Sequence, residues 1–359
     1  MAQDFHLLAL NPGSTTTKIA VFAGDKVRLE EKLEHAAEDL QGFARATDQD
    51  EYRLKMILDI LAAAKVDLNS LNAVVGRGGL LRPLPGGTFR VNKQMVDDLL
   101  HRPAVDHASN LGAVLAYQLG QKLAIPAFIV DPVVVDEYED VARFSGYPGL
   151  ERQSRSHALN MKAVARRVAR DLGRAYRDVR LVVAHLGSGF SISVHVGGRM
   201  VDSTNPNDEG PFSIERGGDL PVTLLLPFLY EKFRAGWSLE RLEALFIKEA
   251  GLYAYTGTKD LRLVEERAAA GDQDAALILK AMSYQVAKAI GAMATVAEGR
   301  VDRIILTGGV AHSRRITEDI SRRVKFIAPV LVIPGEEELL SLAQGALRVL
   351  RGEEEAQDY

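Results

Sequence analysis

Residues 11–18 read NPGSTTTK. Asn11, Gly13, Ser14, Thr16 and Lys18 are residue types suited to phosphate. Glycine lets an anion approach the backbone, hydroxyls donate to its oxygens, and lysine supplies charge. The stretch is not the nucleotide loop GxxxxGK[ST], because Thr17 stands where the second glycine belongs. In that loop the lysine opens a helix. Here three threonines run into KIAVFAG, a β-branched, alternating stretch that favours a strand. The spacing predicts a hairpin with its tip at residues 11–15. Lys18 lies two residues past Thr16, on the same strand face. Such a tip either cradles phosphate or is a plain polar turn.

A second stretch, HLGSGFSIS (185–193), repeats the device with Gly187, Ser188 and Gly189 at its tip. At an offset of 174, Leu7, Gly13, Ser14, Gly24 and Val27 fall on Leu181, Gly187, Ser188, Gly198 and Val201, and Asn11 falls on His185. A second echo sets AVVGRGG (73–79) over IILTGGV (304–310). Two such hairpins would hold a polyphosphate from two sides. His185 then either donates to a transferring phosphoryl group or serves structurally.

Other residues follow by type. Arg77 ends an apolar strand, a place that calls for an anion, whereas Thr307 ends the matching one. Gly308 and Gly309 form an uncharged turn that suits adenine and ribose, or simply a tight strand-to-helix turn. Arg216, before two glycines, can bind a carboxylate or phosphate bidentately. Arg152 and His157 stand at a helix start, and Asp131 at a strand end where a carboxylate could orient a substrate. Glu336, Glu337 and Glu338 open the last helix. The helix dipole favours acids there, and one of them could also hold magnesium through water.

The elements needed to carry these residues occur in order. Each half runs strand, glycine turn, strand, third strand, helices, and a strand ending in paired glycines. The pattern restarts near residue 150. We expect two copies of one α/β unit, each a mixed five-stranded sheet flanked by helices, with a cleft between them. The boundaries read 1–150, completed by the C-terminal helix at about 339–359, and 151–338.

The totals agree. At 359 residues, two domains is the prior, at roughly 100–200 residues each. A net charge of −4 gives no general attraction to nucleic acid or anionic lipid. The chain has no cysteine, which excludes disulfides, thiolate metal sites and cysteine nucleophiles and fits a cytoplasmic location. The first residues lack the basic and apolar regions of a signal peptide. No apolar run approaches the ~20 residues of a membrane helix. There is no HxxxH or HxH spacing and no GxSxG nucleophile elbow. The acidic end GEEEAQDY reads as a solvated tail.

Seven blocks carry a resemblance: NPGSTTTKIAVF, GRGGLLRPLPGGTF, DHASNLGA, SHALNMKAVAR, HLGSGFSISVHVGGRMVD, SIERGGDLP and LTGGVAHS. In this order, over nearly the whole chain, they resemble the acetokinase family, on its butyrate-type branch. The resemblance implies a duplicated actin-like (ribonuclease H-like) fold and reversible transfer of phosphate from ATP to a short fatty acid. It implies ATP or ADP and magnesium as cofactors, butyrate or a similar acid as substrate, and a homo-oligomer, dimer or larger. Asn11, Ser14, Thr16 and Lys18 correspond to the first phosphate motif, with Asn11 near the metal. Arg77 and Arg216 flank the acyl carboxylate and the transferring phosphoryl group, and Asp131 matches the catalytic aspartate. Arg152 and His157 match a block in which Ser156 replaces the usual Phe. His185, with Gly187, Ser188 and Gly189, matches the second phosphate motif, and Gly308 and Gly309 the adenosine motif. Glu338 is the best match to a glutamate near magnesium.

Overall fold

The opening hairpin consists of β1 (His6–Pro12) and β2 (Thr16–Ala23), antiparallel, with Asn11 paired to Lys18. After a Gly24–Asp25 turn, β3 (Lys26–Glu34) extends it. This is a computed structural model that describes residues 4–103 and 105–359. Parallel to β1 run β4 (Ala73–Gly76) and, beyond it, β6 (Ala127–Val130). The expected five strands are joined by a sixth, β5 (Thr88–Arg90), antiparallel to β6, giving the order β3-β2-β1-β4-β6-β5. At three residues, β5 is too short to register as a hydrophobic alternation.

The second sheet repeats the plan. It contains β7 (Leu181–Leu186), β8 (Phe190–Val196), β9 (Arg199–Ser203), β10 (Arg303–Gly308) and β11 (Val330–Pro334). Its order is β9-β8-β7-β10-β11, with the same pairing directions as β3-β2-β1-β4-β6. Register corrects the second echo by one residue. Val74 pairs with Leu8, and Ile304 pairs with Val182, which is Leu8 displaced by 174. Arg77 therefore corresponds to Thr307, and Gly78 to Gly308. The second hairpin tip is also one residue shorter, because Pro12 pairs with Thr17 but Leu186 pairs with Phe190. The architecture is the duplicated actin-like α/β fold.

Two compact units result: one runs up to Asp136 and includes Glu337–Tyr359, and the other spans Glu137–Glu336. In the first, Leu8, Leu10, Ile19, Val74 and Ile129 pack against Leu111, Val114 and Leu115 of the helix Leu111–Leu123. In the second, Val182, Ala184 and Leu306 pack against Met282, Val286 and Ile290 of the helix Gln273–Val296. Among the described residues, no helix is long and apolar enough to cross a membrane.

The acidic tail is not a solvated end. Gln357 bridges to Phe89, donating from its backbone N–H to the Thr88 carbonyl at 2.9 Å. The Tyr359 hydroxyl donates to Asp98 at 2.9 Å, and Arg82 lies 4.6 Å from its ring centroid. The tail closes the free edge of β5 and anchors the loop before it. Its composition looks disordered because the apolar contact rests on one residue, Tyr359.

Candidate active site

In the second unit the site grows from the end of β7. His185 is 1% exposed, and its Nδ1 lies 2.8 Å from Asn160 Oδ1. The Asn160 amide nitrogen donates to the Glu336 carbonyl at 3.0 Å. That donation fixes which end of the amide is oxygen, so His185 Nδ1 carries the proton. Its Nε2 is buried without a hydrogen-bond partner; Glu336 Oε1 stands 3.5 Å away. The His157 ring stacks on His185 at 4.0 Å, with the planes 11° apart, and its Nδ1 meets Ser191 Oγ at 3.0 Å. His157 is the N-cap position of the helix Ala158–Asp171, and Asn160 is three residues on, which brings both to one helix face.

Arg216 lies directly over the hairpin tip. A Cβ on Gly189 would stand 2.6 Å from Arg216 Cζ, so only glycine leaves room for the guanidinium. Arg216 Nη1 donates to Asn207 Oδ1 at 2.7 Å, and Nε is buried without a partner. Burial lowers its pKa from the ordinary arginine value, yet a guanidinium stays charged at neutral pH. Buried polar atoms without partners are rare and call for an explanation. Here two of them, on His185 and Arg216, flank one glycine-rich tip.

A cavity of about 690 Å³ opens beside that tip, with Gly187, Ser188, Gly309, Val310, Lys259 and Glu336 among its lining residues. This volume lies in the usual range for small-molecule sites, roughly 300–1,000 Å³. The two glycines after β10 differ. Gly308 has φ +90°, and a Cβ there would sit 2.5 Å from the Leu186 carbonyl oxygen. A Cβ on Gly309 would meet nothing within 4 Å.

In the first unit, Asn11 and Arg77 converge on Glu338. Asn11 Nδ2 donates to Glu338 Oε2 at 2.5 Å, and Arg77 Nη1 donates to Glu338 Oε1 at 2.8 Å and to Asn11 Oδ1 at 3.2 Å. The helix Leu111–Leu123 packs so closely that a Cβ on Gly112 would stand 2.2 Å from the Arg77 carbonyl oxygen. That contact fixes the strand end from which Arg77 projects. Lys18 and Ser14 are exposed, while Gly13 and Thr16 are half-buried. The three glutamates part company: Glu336 belongs with His185, Glu337 stands at the chain's crossing between units with φ +42°, and Glu338 belongs with Asn11.

Two further expected residues are held by protein groups. The Arg152 guanidinium donates to Ala142 O, Asp202, Ser203 O and Glu209, and Glu209 leads through Asn205 and Asn207 to Arg216 over the hairpin tip. Its charge-assisted bonds raise its pKa against the opposing effect of burial. Asp131 is 1% exposed, and its Oδ1 accepts the Gly87 N–H at 2.7 Å. Asn160 and Asn207 were not singled out from sequence, although the spacing from His157 to Asn160 carried a usable signal. Arg53 carried one as well, standing four and eight residues before the buried Ile57 and Leu61.

The family model of the acetokinase family matches residues 150–338. The fold also matches solved structures. The acetate kinase of Porphyromonas gingivalis superposes with a TM-score of 0.74 at 20% identity, over 96% of this chain and 99% of that one. The propionate kinase of Francisella tularensis subsp. tularensis SCHU S4 gives 0.72 at 20%, over 95% and 98%. The acetate kinase of Entamoeba histolytica gives 0.72 at 16%, over 95% and 99%. The chain belongs to the acetokinase family.

Proposed function

We propose that this protein transfers the terminal phosphoryl group of ATP to the carboxylate of a short fatty acid, with butyrate preferred. The observation that carries this reading is the pairing of Arg216 Nε and His185 Nε2, both buried and unpartnered, around the Gly187–Ser188–Gly189 tip. A carboxylate is already a nucleophile at pH 7, so no general base is required. The barrier is repulsion between two anions, which fixed positive charge lowers. Arg77, Arg216 and Lys18 supply that charge, with His185 beside the tip as a polar group. Gly308, Gly309 and the adjoining cavity receive adenosine. Butyrate preference rests on the spelling NPGSTTTK, as in the butyrate-type branch.

Magnesium fits the donor set in a limited way. Among the described residues, no three acidic or histidine groups cluster as a metal cage. Magnesium on a nucleotide needs no cage; it uses phosphate oxygens, waters and one or two carboxylates. Glu338, oriented by Asn11 and Arg77, is placed to supply such a carboxylate, and the ion would add charge neutralisation. Asp131 and Arg152 then act by holding backbone in place.

Magnesium-ATP with acetate, propionate, butyrate or isobutyrate, followed by hydroxamate trapping, tests the assignment. The expected result is trapped acyl phosphate, fastest with butyrate. ATP hydrolysis independent of acid, with nothing trapped, would identify a nucleotide-gated binding protein of the same fold instead.

We also infer self-association. The helix Val222–Arg234 buries none of its residues, and Leu226 and Phe233, seven positions apart on one face, are 61% and 68% exposed. Exposed apolar area of this kind marks an interface. Light scattering should give a dimer or larger for the wild type and a monomer for Leu226→Glu combined with Phe233→Glu. A monomeric wild type refutes this.

A further inference from the structure

Among the described residues, Arg53 heads the large fully buried side chains and is a cation, with 0% of its surface exposed. It sits on the helix Asp50–Ala63, behind the first hairpin. Its Nη1 donates to the Gly13 carbonyl at 2.8 Å, the Thr16 carbonyl at 3.3 Å and Thr17 Oγ1 at 3.0 Å. Its Nη2 donates to the Ser14 carbonyl at 3.1 Å and to Gln49 Oε1 at 2.7 Å. Nε also donates to Gln49, at 3.0 Å. Every partner is neutral, and no described carboxylate pairs with it. Burial lowers its pKa to about 10, so it remains charged at neutral pH. The neighbouring His35, buried against Thr17 and Arg53, has its pKa lowered to about 4 and therefore adds no second charge at neutral pH.

A buried charge without a counter-ion is costly, and proteins avoid it unless it has a use. Arg53 has its guanidinium against three carbonyls of one turn. Holding those carbonyls inward, with the Gly13 N–H taken by the Thr16 carbonyl at 2.7 Å, leaves the solvent side of the turn to the exposed Ser14 and Thr15. We propose that Arg53 is a positioning residue that preorganises the Gly13–Ser14–Thr15–Thr16 turn as an anion site, and that the missing counter-ion is a phosphoryl group of the nucleotide bound on the far side. This rests on the ATP-dependent reading above. No step of the reaction passes through Arg53 itself.

Arg53→Met removes the charge and the fork; Arg53→Lys keeps the charge but cannot span three carbonyls. Both are compared with the wild type by calorimetric titration with magnesium-ATP, by the melting-temperature rise that magnesium-ATP induces, and by KM against kcat. We expect Kd and KM for ATP to rise at least about tenfold in Arg53→Met, the order of one charge-assisted contact, and less in Arg53→Lys. The ATP-induced rise in melting temperature should shrink in both. A purely structural Arg53 would lower the melting temperature yet leave Kd, KM and the ATP-induced rise unchanged, and that result overturns the proposal. If Arg53→Met does not fold, Arg53→Lys decides: ATP binding equal to the wild type overturns the proposal. A wild type that binds ATP but phosphorylates no acid refutes the kinase reading alone. One that binds no ATP refutes both.

Discussion

Replacing Arg216 by alanine is expected to lower kcat for acyl phosphate formation by roughly 10²–10³ or more, the usual cost of removing one preorganised donor from developing charge. The guanidinium is held by a single strong contact to Asn207 and laid on Gly189, with Nε free of any partner. It is therefore positioned by the fold but not consumed by it. Its loss removes one hydrogen bond, and Glu215, a carboxylate that acts on its charge, keeps Lys259 at 2.5 Å, so the circular dichroism spectrum and melting temperature should hardly move. Arg77 makes the useful contrast. Its charge offsets Glu338 at 2.8 Å, so Arg77→Ala strips a half-buried carboxylate of its partner as well as removing a donor. Activity should fall in both variants, but the disturbance of Asn11 and Glu338 should accompany only the second. Near-wild-type turnover in Arg216→Ala would remove the central charge from the proposed mechanism.

Much of this was legible because it is local. Three β-branched residues after Ser14 decided hairpin over helix, and apolar strands before glycine turns announced both halves. The order of strands followed from repetition. What sequence could not supply was the set of contacts made across long separations. Arg53 is 40 residues from Gly13; its spacing from Ile57 and Leu61 sets it on the buried helix face, but nothing in that spacing names the hairpin carbonyls it meets. Glu338 lies 261 residues from Arg77, so choosing among three consecutive glutamates required the backbone turn at Glu337 that separates them. Arg152 shows what sequence leaves out: its motif gives no sign of Asp202 and Glu209, or of the path from Glu209 through Asn205 and Asn207 to Arg216. The tail misled for a related reason: its order comes from the exposed edge of β5 and from Gly86 and Thr88, none of which its own composition reveals.

The two glycines after β10 separate fold from ligand, and alanine at each should give opposite results. At Gly308 the backbone has φ +90° and ψ 176°, a region essentially reserved for glycine. The added Cβ would also press on the Leu186 carbonyl oxygen, carbon and nitrogen at 2.5–2.7 Å. Those atoms end a fully buried strand and lead straight into Gly187, so they cannot yield without shifting the hairpin tip. Conformational strain of about 1–3 kcal/mol plus a similar overpacking cost is expected for Gly308→Ala. At roughly 2–4 °C per kcal/mol for a unit of this size, the melting temperature should fall by about 5–20 °C. Gly309 has no left-handed backbone to strain and open space where a Cβ would stand, on the wall of the 690 Å³ cavity. Gly309→Ala should therefore melt like the wild type. A methyl group there would occupy room that the nucleotide needs, so KM for ATP should rise by about tenfold, and Gly309→Val should raise it further. ATP binding unchanged in both Gly309 variants would mean that this space is not where adenosine sits. Gly308→Ala melting at the wild-type temperature would mean that the β7–β10 contact is looser than its distances indicate.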